Sequence, residues 1–311
     1  MEAKTAIGQV SYDPECYMCP GNKRSTEAVN PNYKTVFLFD NDFPALLPSG
    51  QHGSIKDGNL LIAEAETGIC RVLCFSPKHN LTVSMMERAD LRAVVDCWAQ
   101  QLQELGANPL INYVQIFENR GAMMGASNPH PHCQIWSTAT IPNIPAIEQE
   151  SQIAYRNERG SCLLCDYHAK EKSLGIRTVV ENDHFLALVP FWAVWPFETM
   201  ILSRRHVGSM DELDSEERDA LSDILKRLTT RYDNLFQTSF PYSMGFHQHP
   251  TDGKPHPEWH FHAHFFPPLL RSATVRKFMV GFELLGMPQR DITAETSAER
   301  LRGVPDSHHV F

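Results

Sequence analysis

The run from Asn128 to Gln134 contains the side chains of this chain that are best suited to chemistry. Side chains of an extended strand alternate between its two faces, so His130, His132 and Gln134 are predicted to point the same way, with about 7 Å between neighbours. A neutral imidazole attacks phosphorus well, and the phosphoramidate that forms can pass the group to a second acceptor. We therefore predict that His130 holds a metal, that His132 attacks a phosphate, and that Gln134 hydrogen-bonds the phosphate oxygens.

The segment before this run, residues 118–127, is predicted to be a small loop that contains glycine. Backbone N–H groups of such a loop can approach phosphate oxygens, and Ser127 can donate one more hydrogen bond. Cys133 is predicted to face away from His132 and to lie in the core. On the motif alone, the alternative that His130 and His132 both bind one metal stays open.

Two C-x-x-C pairs are more typical of metal sites than of a disulfide scaffold in a chain of 311 residues. A first ligand set combines one pair with two distant histidines. It consists of Cys16, Cys19, His79 and His130. Thiolates and imidazoles in a tetrahedral array suit Zn²⁺, and a shell closed by protein ligands is typical of a structural site.

A second metal, Fe or Zn, is predicted in the C-terminal half, where two ligand sets compete. The first set is hard and nitrogenous: Glu148, His247, His262 and His264. The second mirrors the first zinc set, and its thiolates favour zinc: Cys162, Cys165, His206 and His262. Because both sets use His262, we do not expect both to be filled. His260 can also share that face.

The same plan occurs twice along the chain, which indicates a duplication. Each copy has a C-x-x-C pair, an Asn-Asp dipeptide, a histidine after a predicted strand, a helix, and an H-x-H strand. The last feature pairs His130-Pro131-His132 with His262-Ala263-His264. We predict an N-terminal half, residues 1–145, with the nucleophile and a zinc site, and a C-terminal half, residues 146–311, with the second metal.

Apolar residues at helical spacing predict long helices from Glu87 to Leu105 and from Ser215 to Phe236, the second with a capping box at Asp214. Weaker helices are predicted at Ala146–Arg159 and Asp291–Leu301. Short apolar runs predict strands at Thr35–Asp40, Arg71–Phe75, Tyr113–Glu118, Gln134–Ser137, Thr178–Val189, Thr199–Leu202, Tyr242–Phe246 and Glu258–Phe266. Few helices among many short strands favour an α+β fold, with a helix against each antiparallel sheet.

Charge and hydropathy argue against a nucleic-acid-binding protein and against a membrane protein. A net charge of −9 argues against nonspecific nucleic-acid binding. No stretch approaches the roughly 18 apolar residues of a membrane span, and residues 1–13 lack an apolar signal core. We therefore expect a soluble cytoplasmic protein. The cations within residues 269–283 predict a local patch that binds an anionic ligand.

These motifs resemble the galactose-1-phosphate uridylyltransferase family of the histidine-triad superfamily. The resemblance rests on Asn119–Trp136, Pro241–Gly245 and Pro267–Glu283, and it extends from Asp13 to about Val304. It implies a duplicated histidine-triad-like fold, with helices packed on antiparallel sheets, in each subunit of a homodimer. It also implies that UMP is exchanged between UDP-glucose and galactose 1-phosphate through a uridylyl-histidine, with ping-pong kinetics, in the Leloir pathway of galactose metabolism.

The resemblance carries roles over residue by residue. His132 matches the nucleophile, and Gln134 and Ser127 match residues that hydrogen-bond the phosphoryl group. The implied nucleotide contacts are Asn41, Asp42, Asn119, Gly125, Ala126 and Ser127. The implied hexose and phosphate contacts are Lys277, Phe278, Phe282, Glu283 and Gln289. The ligand set that contains Cys16 matches the family's zinc site. The ligand set that contains Glu148 matches the family's second site, which holds iron or zinc.

The chain also departs from the family's pattern. Phe282 stands where a tyrosine is usual, which removes a hydroxyl that would meet the sugar, and Arg120 stands where a lysine is usual. Fifteen residues precede Cys16, whereas the family has a longer segment whose strand and arginines resemble substrate ligands of the partner subunit. We expect this difference to affect the dimer edge.

Other functions stay open on the sequence. The nearest alternative is another nucleotidyltransferase of the superfamily, such as an ADP-glucose phosphorylase. A nucleotide hydrolase would use water in the second step. A zinc-stapled binding module would need no free His132, but it would leave Gln134 and Ser127 without a role.

Overall fold

A computed structural model describes residues 10–49, 53–268 and 280–308. Lys277 and Phe278, two of the predicted sugar-phosphate contacts, lie outside these ranges. All eight cysteines are free thiols. Among the helices of the described ranges, none combines the length and the apolar character needed to cross a bilayer.

Short strands of the two halves join into a single antiparallel sheet. The strands are β1 (Phe37–Asp40), β2 (Ser54–Asp57), β3 (Leu61–Glu64), β4 (Gly68–Cys74), β5 (Tyr113–Arg120), β6 (His132–Thr138), β7 (Thr178–Glu181), β8 (Phe185–Leu188), β9 (Thr199–Ser203), β10 (Tyr242–His247) and β11 (His262–Phe266). The nine-stranded sheet has the order β1-β4-β6-β5-β10-β11-β9-β8-β7, and β2 and β3 form a separate hairpin. This arrangement confirms the predicted α+β class with antiparallel strands.

The sheet order is nearly symmetric about the contact between β5 and β10. From that contact, one direction leads to β6 and β4 and the other to β11 and β9. The contact pairs Tyr242 with Arg120 and Gly245 with Phe117. The sequence suggested a sheet for each half. The structure instead joins the halves through backbone hydrogen bonds in one sheet.

Helices begin and end close to the predicted residues. They are α1 (Arg88–Gly106), α2 (Asn143–Arg159), α3 (Leu163–Leu174), α4 (Ser215–Phe236), α5 (Phe282–Leu285) and α6 (Ala294–Arg302). The capping box of α4 is confirmed, because the Glu217 N–H donates to Asp214 Oδ1 at 2.9 Å and the Asp214 N–H donates to Glu217 Oε2 at 2.9 Å. Helix α3 escaped the sequence analysis because it buries only Leu164 and Glu171, too few residues for an apolar stripe.

The strand predicted at Thr178–Val189 is two strands, β7 and β8. Asn182 causes the break, because its Oδ1 accepts hydrogen bonds from the N–H groups of His184 and Phe185 at 3.1 and 2.9 Å. A side chain that satisfies two backbone donors in this way replaces a pair of ladder bonds and turns the chain.

Both long helices contribute to the core on one face of the sheet. Val114 and Ile116 of β5 are buried there with residues of α1 and α4. Cys133 is buried on this face, as predicted, and its Sγ accepts a hydrogen bond from Trp98 Nε1 at 3.1 Å. Alternate residues of the same strands therefore lie on the opposite face, which we call the open face. His132 and Gln134 are half-buried on it.

The loop predicted for residues 118–127 begins later than expected, because Glu118, Asn119 and Arg120 continue β5. Arg120 Nη2 lies 3.0 Å from Asp233 Oδ2 of α4, and both side chains are buried. Burial alone would raise the pKa of Asp233, but the Arg120 charge and several hydrogen bonds lower it overall. This ion pair ties β5 to α4 behind the open face.

We predict that Asp233→Asn lowers the free energy of unfolding by about 3 kcal/mol, because the neutral amide removes the carboxylate that contacts the buried Arg120 guanidinium. Chemical denaturation measures the change. Asp219→Asn is a matched control, since Asp219 pairs with Arg92 at 2.7 Å but its side chain is 55% exposed, and its loss should stay below about 1 kcal/mol. Equal losses in the two variants would contradict the role given to the buried pair.

Candidate functional site

His132 begins β6 with its ring fixed by the backbone. Its Nδ1 lies 2.7 Å from the carbonyl oxygen of His130. A carbonyl oxygen only accepts hydrogen bonds, so Nδ1 carries the proton and Nε2 carries the lone pair. Burial lowers the pKa of His132, although the bond to the His130 carbonyl opposes that shift. The site therefore favours a neutral ring that presents a nucleophilic Nε2.

Gln134 follows on the same face, and its amide is oriented by a residue that the sequence analysis missed. Trp136 Nε1 donates to Gln134 Oε1 at 2.9 Å. Because the oxygen is engaged, the NH2 group is the part of the amide that can donate to a phosphate oxygen. Period-two alternation places Trp136 on the same face and could have revealed its role.

The register of neighbouring strands brings further predicted residues to the open face. Gln134 pairs with Phe117 of β5, and Phe117 pairs with Gly245 of β10. A Cβ atom at Gly245 would lie only 3.0 Å from Gln115 Nε2 and 3.2 Å from the Ile116 carbonyl oxygen, so a larger residue would be crowded at this position. Asn119 is half-buried on the same face, and its Oδ1 accepts a hydrogen bond from Ser243 Oγ at 2.7 Å.

The glycine-containing loop forms hydrogen bonds within itself that the sequence did not predict. Gly121 and Gly125 have φ angles of 84° and 78°, values that favour glycine. The N–H groups of Gly125 and Ala126 donate to the carbonyls of Ala122 and Gly121 at 3.0 and 3.3 Å. These two N–H groups therefore bond within the loop in this structure, and their contact with a phosphate stays a prediction. Ser127 is exposed just before β6.

Other predicted substrate contacts occupy two separate segments. Asn41 follows β1, and its N–H donates to the carbonyl of Cys70 at 2.9 Å. The Asp42 carboxylate pairs with Arg24 at 3.2 Å. Phe282 and Glu283 lie in α5, and Gln289 follows that helix.

The four residues of the first predicted metal set come together in one buried cluster. Cys16, Cys19, His79 and His130 are all buried, and their ligand atoms lie within 4.8 Å of one another. His130 Nδ1 is 3.5 Å from Cys19 Sγ and 3.9 Å from Cys16 Sγ, while His79 Nδ1 is 3.6 Å from Cys19 Sγ. Tetrahedral zinc places sulfur and nitrogen ligands about 3.5 Å apart, so the cluster fits Zn²⁺.

His130 and His132 are given different tasks by this geometry. The Nε2 atom of His130 is 2.8 Å from the Ser76 carbonyl, so its Nδ1 is the nitrogen that faces the thiols. His132 is not a member of the cluster. The alternative in which both histidines hold one metal therefore does not match the structure.

The second cluster lies where α2 meets β10 and β11. Glu148 Oε2 is 2.8 Å from His247 Nδ1 and 3.5 Å from His262 Nε2, and Oε1 is 3.6 Å from His264 Nε2. Burial would raise the pKa of Glu148, but the three histidines lower it well below its usual range. Within the described residues, neither ring nitrogen of buried His264 has a hydrogen-bond partner. A cation bound by this carboxylate and these imidazoles would satisfy them.

The competing metal-ligand set that was predicted to contain His262 is wrong in that residue, because His260 takes its place. The thiols of Cys162 and Cys165 gather with His206 and His260, whereas His262 belongs to the Glu148 cluster. The error came from the alignment of the two repeats, which was two residues late. His260 Nε2 bonds to the Ser203 carbonyl at 2.7 Å, as His130 Nε2 bonds to that of Ser76. The spacing from Ser76 to His79 equals that from Ser203 to His206, but it fits either pairing, so the sequence alone did not decide between them.

Comparisons with known proteins agree on one family. A family model described as the galactose-1-phosphate uridyl transferase N-terminal domain matches residues 2–142, and one described as the C-terminal domain matches residues 148–310. Galactose-1-phosphate uridylyltransferase of Haemophilus influenzae is 51% identical over 299 residues, which cover 96% of this chain and 85% of the relative. That of Rattus norvegicus is 50% identical over 303 residues, which cover 96% and 79%.

Solved structures share the fold. A chain titled "Structure of uridylyltransferase" superposes with a TM-score of 0.82 and 25% identity, and the match covers 96% of this chain and 94% of that one. An ADP-glucose phosphorylase from Arabidopsis thaliana superposes with a TM-score of 0.75 at 23% identity, over 95% and 92%. The second likeness shows the fold alone.

We predict that His132 is the Nδ1–H tautomer near neutral pH, because its Nδ1 donates to the His130 carbonyl. Long-range ¹H–¹⁵N spectra of labelled protein distinguish protonated from bare ring nitrogens. His132→Gln identifies the ring by the loss of its signals. A proton on Nε2 of His132 would contradict the orientation described above.

Proposed function

The chain belongs to the galactose-1-phosphate uridylyltransferase family and is a nucleotidyltransferase, and we propose that it exchanges UMP between UDP-glucose and galactose 1-phosphate. One observation carries the proposal beyond the family. The His130 carbonyl holds Nδ1 of His132 at 2.7 Å and so leaves Nε2 available beside Gln134. This arrangement is what a covalent uridylyl-histidine requires.

The proposed reaction has two displacements on phosphorus. His132 Nε2 attacks the α-phosphorus of UDP-glucose, a P–N bond forms, and the bond to glucose 1-phosphate breaks with its electron pair on the departing phosphate oxygen. A phosphate oxygen of galactose 1-phosphate then attacks the uridylyl group, the P–N bond breaks, and UDP-galactose leaves. Because both acceptor and leaving group are sugar phosphates, positioning and charge stabilisation matter more than proton transfer.

The hydrogen bond at Nδ1 of His132 gains strength during the first displacement. As Nε2 bonds to phosphorus, positive charge develops on the ring, and the neutral bond to the His130 carbonyl becomes charge-assisted. An interaction that strengthens in this way lowers the barrier rather than only holding the ground state. The carbonyl of His130 is therefore proposed to act in catalysis as well as in positioning.

Substrate contacts complete the proposed site. Gln134 and Ser127 would donate to phosphoryl oxygens, with the Gln134 amide oriented by Trp136. The proposed nucleotide contacts are Asn41, Asp42, Asn119, Gly125 and Ala126. The proposed sugar-phosphate contacts are Lys277, Phe278, Phe282, Glu283 and Gln289.

The metals are proposed to stabilise the fold around the nucleophile. Cys16, Cys19, His79 and His130 would hold zinc, and Glu148, His247, His262 and His264 would hold iron or zinc. The zinc ligand His130 also supplies the carbonyl that orients His132. Residues 1–145 would thus provide the nucleophile and residues 146–311 the second metal. A homodimer remains a prediction.

The two-displacement mechanism predicts exchange of radiolabelled glucose 1-phosphate into UDP-glucose without any galactose 1-phosphate. The label enters because the uridylyl-enzyme re-forms donor from free glucose 1-phosphate. His132→Gln should abolish the exchange. An enzyme that makes UDP-galactose but shows no such exchange would contradict a covalent intermediate.

The same assay separates related functions. ADP-glucose should support the exchange far less than UDP-glucose, and the reverse order would favour an ADP-glucose phosphorylase. UMP released steadily from UDP-glucose without an acceptor would favour a nucleotide hydrolase.

We predict that Trp136→Phe lowers kcat about tenfold, or about 1.4 kcal/mol, with little change in KM. The variant keeps an aromatic ring but removes the N–H that orients the Gln134 amide. Trp192→Phe is the control, because Trp192 is 43% exposed, and it should leave kcat unchanged. A Trp136→Phe enzyme with full kcat would show that the amide needs no such orientation.

A further inference from the structure

A compact cluster in the C-terminal half has no part in the proposed reaction. Cys162 precedes α3 and Cys165 lies in its first turn, His206 follows β9, and His260 lies two residues before β11. We propose that these four side chains form a third metal site, a structural zinc site that is filled together with the clusters of Cys16 and of Glu148.

The distances within the cluster match tetrahedral zinc. Cys165 Sγ is 3.3 Å from His260 Nδ1 and 3.4 Å from His206 Nδ1, and Cys162 Sγ is 3.6 Å from His260 Nδ1. With usual zinc bond lengths, sulfur and nitrogen ligands in a tetrahedron lie about 3.5 Å apart. Two thiols and two imidazoles close the shell, which leaves no position for a substrate.

The backbone fixes the ring of His260 in the state that a metal needs. Its Nε2 is 2.7 Å from the carbonyl oxygen of Ser203, so Nε2 carries the proton and the lone pair of Nδ1 faces both thiols. Ligating histidines commonly donate their second N–H to a carbonyl in this way. The buried cluster of Cys16 repeats the arrangement with His130 and Ser76.

The three clusters can be filled at the same time because they share no residue. His262 is the residue that both predicted ligand sets of the C-terminal half would have needed. Its Nδ1 is 2.7 Å from the His260 carbonyl, and its Nε2 faces Glu148. His260 and His262 therefore serve two adjacent sites with different donor sets. The sulfur-containing set favours zinc, whereas the set of Glu148 suits a harder cation.

The site would stabilise a region with little core of its own. Helix α3 packs Leu164 on Leu186, Leu188, Met200 and Leu202, in a small cluster separate from the main core. A zinc ion would tie the start of α3 to the segment after β9 and to the segment before β11. In the N-terminal half, Cys16 and Cys19 belong to a similar small hydrophobic cluster.

Exposure distinguishes this site from the first one. All four residues of the Cys16 cluster are buried, but here Cys165 is half-buried and His206 is exposed. A chelator approaches an exposed ligand more readily, so the third ion should leave first. A C-x-x-C pair at a helix start could instead act as a redox pair, which predicts a disulfide and no metal.

Metal analysis of folded, purified protein tests the proposal, and it does so whether or not the transferase activity is as proposed. Plasma mass spectrometry should find three metal ions per wild-type chain, with at least two of them zinc. Cys165→Ser should lose one zinc while its exchange of glucose 1-phosphate into UDP-glucose stays within about twofold of wild type, since the site lies outside the reaction. Cys97→Ser, at a half-buried cysteine outside all three clusters, should keep three ions.

Chelation of wild-type protein gives a second measurement that needs no variant. A colorimetric zinc chelator should remove one equivalent per chain faster than the rest. The same treatment should expose two additional thiols to titration. Wild-type metal content in Cys165→Ser would overturn the proposal, and so would a Cys162–Cys165 disulfide in metal-loaded wild-type protein.

Discussion

Two hydrogen bonds from imidazole rings to backbone carbonyls decide what each histidine before and at the start of β6 can do. His130 uses Nε2 for the Ser76 carbonyl, whereas His132 uses Nδ1 for the His130 carbonyl. The remaining nitrogens are therefore different. Nδ1 of His130 is left for the thiols of Cys16 and Cys19, and Nε2 of His132 is left for the open face. A buried ring needs such a partner for its N–H, so the backbone sets the chemistry of the side chain.

The C-terminal half uses the same backbone device for a different purpose. His260 and His262 bond to the carbonyls of Ser203 and His260 at 2.7 Å each, as their counterparts do. The difference comes from α2, which places Glu148 3.5 Å from Nε2 of His262. A carboxylate at that position makes the ring a metal-ligand candidate and prevents it from facing a phosphate. One carboxylate thus gives His262 different surroundings from His132, although the sheet holds the two rings in matching positions.

Local signals predicted what depends on local physics. The capping box and apolar stripe of α4 fixed the bounds Ser215–Phe236, and the alternation of β6 placed His132 and Gln134 on one face. Long-range register was not available from such signals. The repeats were aligned two residues late because an H-x-H pattern fits both His260–His262 and His262–His264. Only the contacts between β9 and the chain before β11 select the first pairing.

One helix and two sets of hydrogen bonds were also missed in the sequence analysis. Helix α3 is held by a few buried residues and by its position over β8 and β9, so its sequence lacks a strong pattern. The N–H groups of Gly125 and Ala126 bond within their own loop, which loop composition does not reveal. The orienting bond from Trp136 to Gln134 joins neighbours on one face, and it could have been expected from alternation alone.

The central claim is that Nε2 of His132 is the atom that takes up the uridylyl group. Enzyme mixed with UDP-glucose alone, digested at alkaline pH and analysed by mass spectrometry and ³¹P NMR, locates the new bond. The account predicts a UMP adduct on the peptide that contains His132, with phosphorus on Nε2. Phosphorus on Nδ1, or an unmodified His132 in enzyme that still turns over, would contradict it.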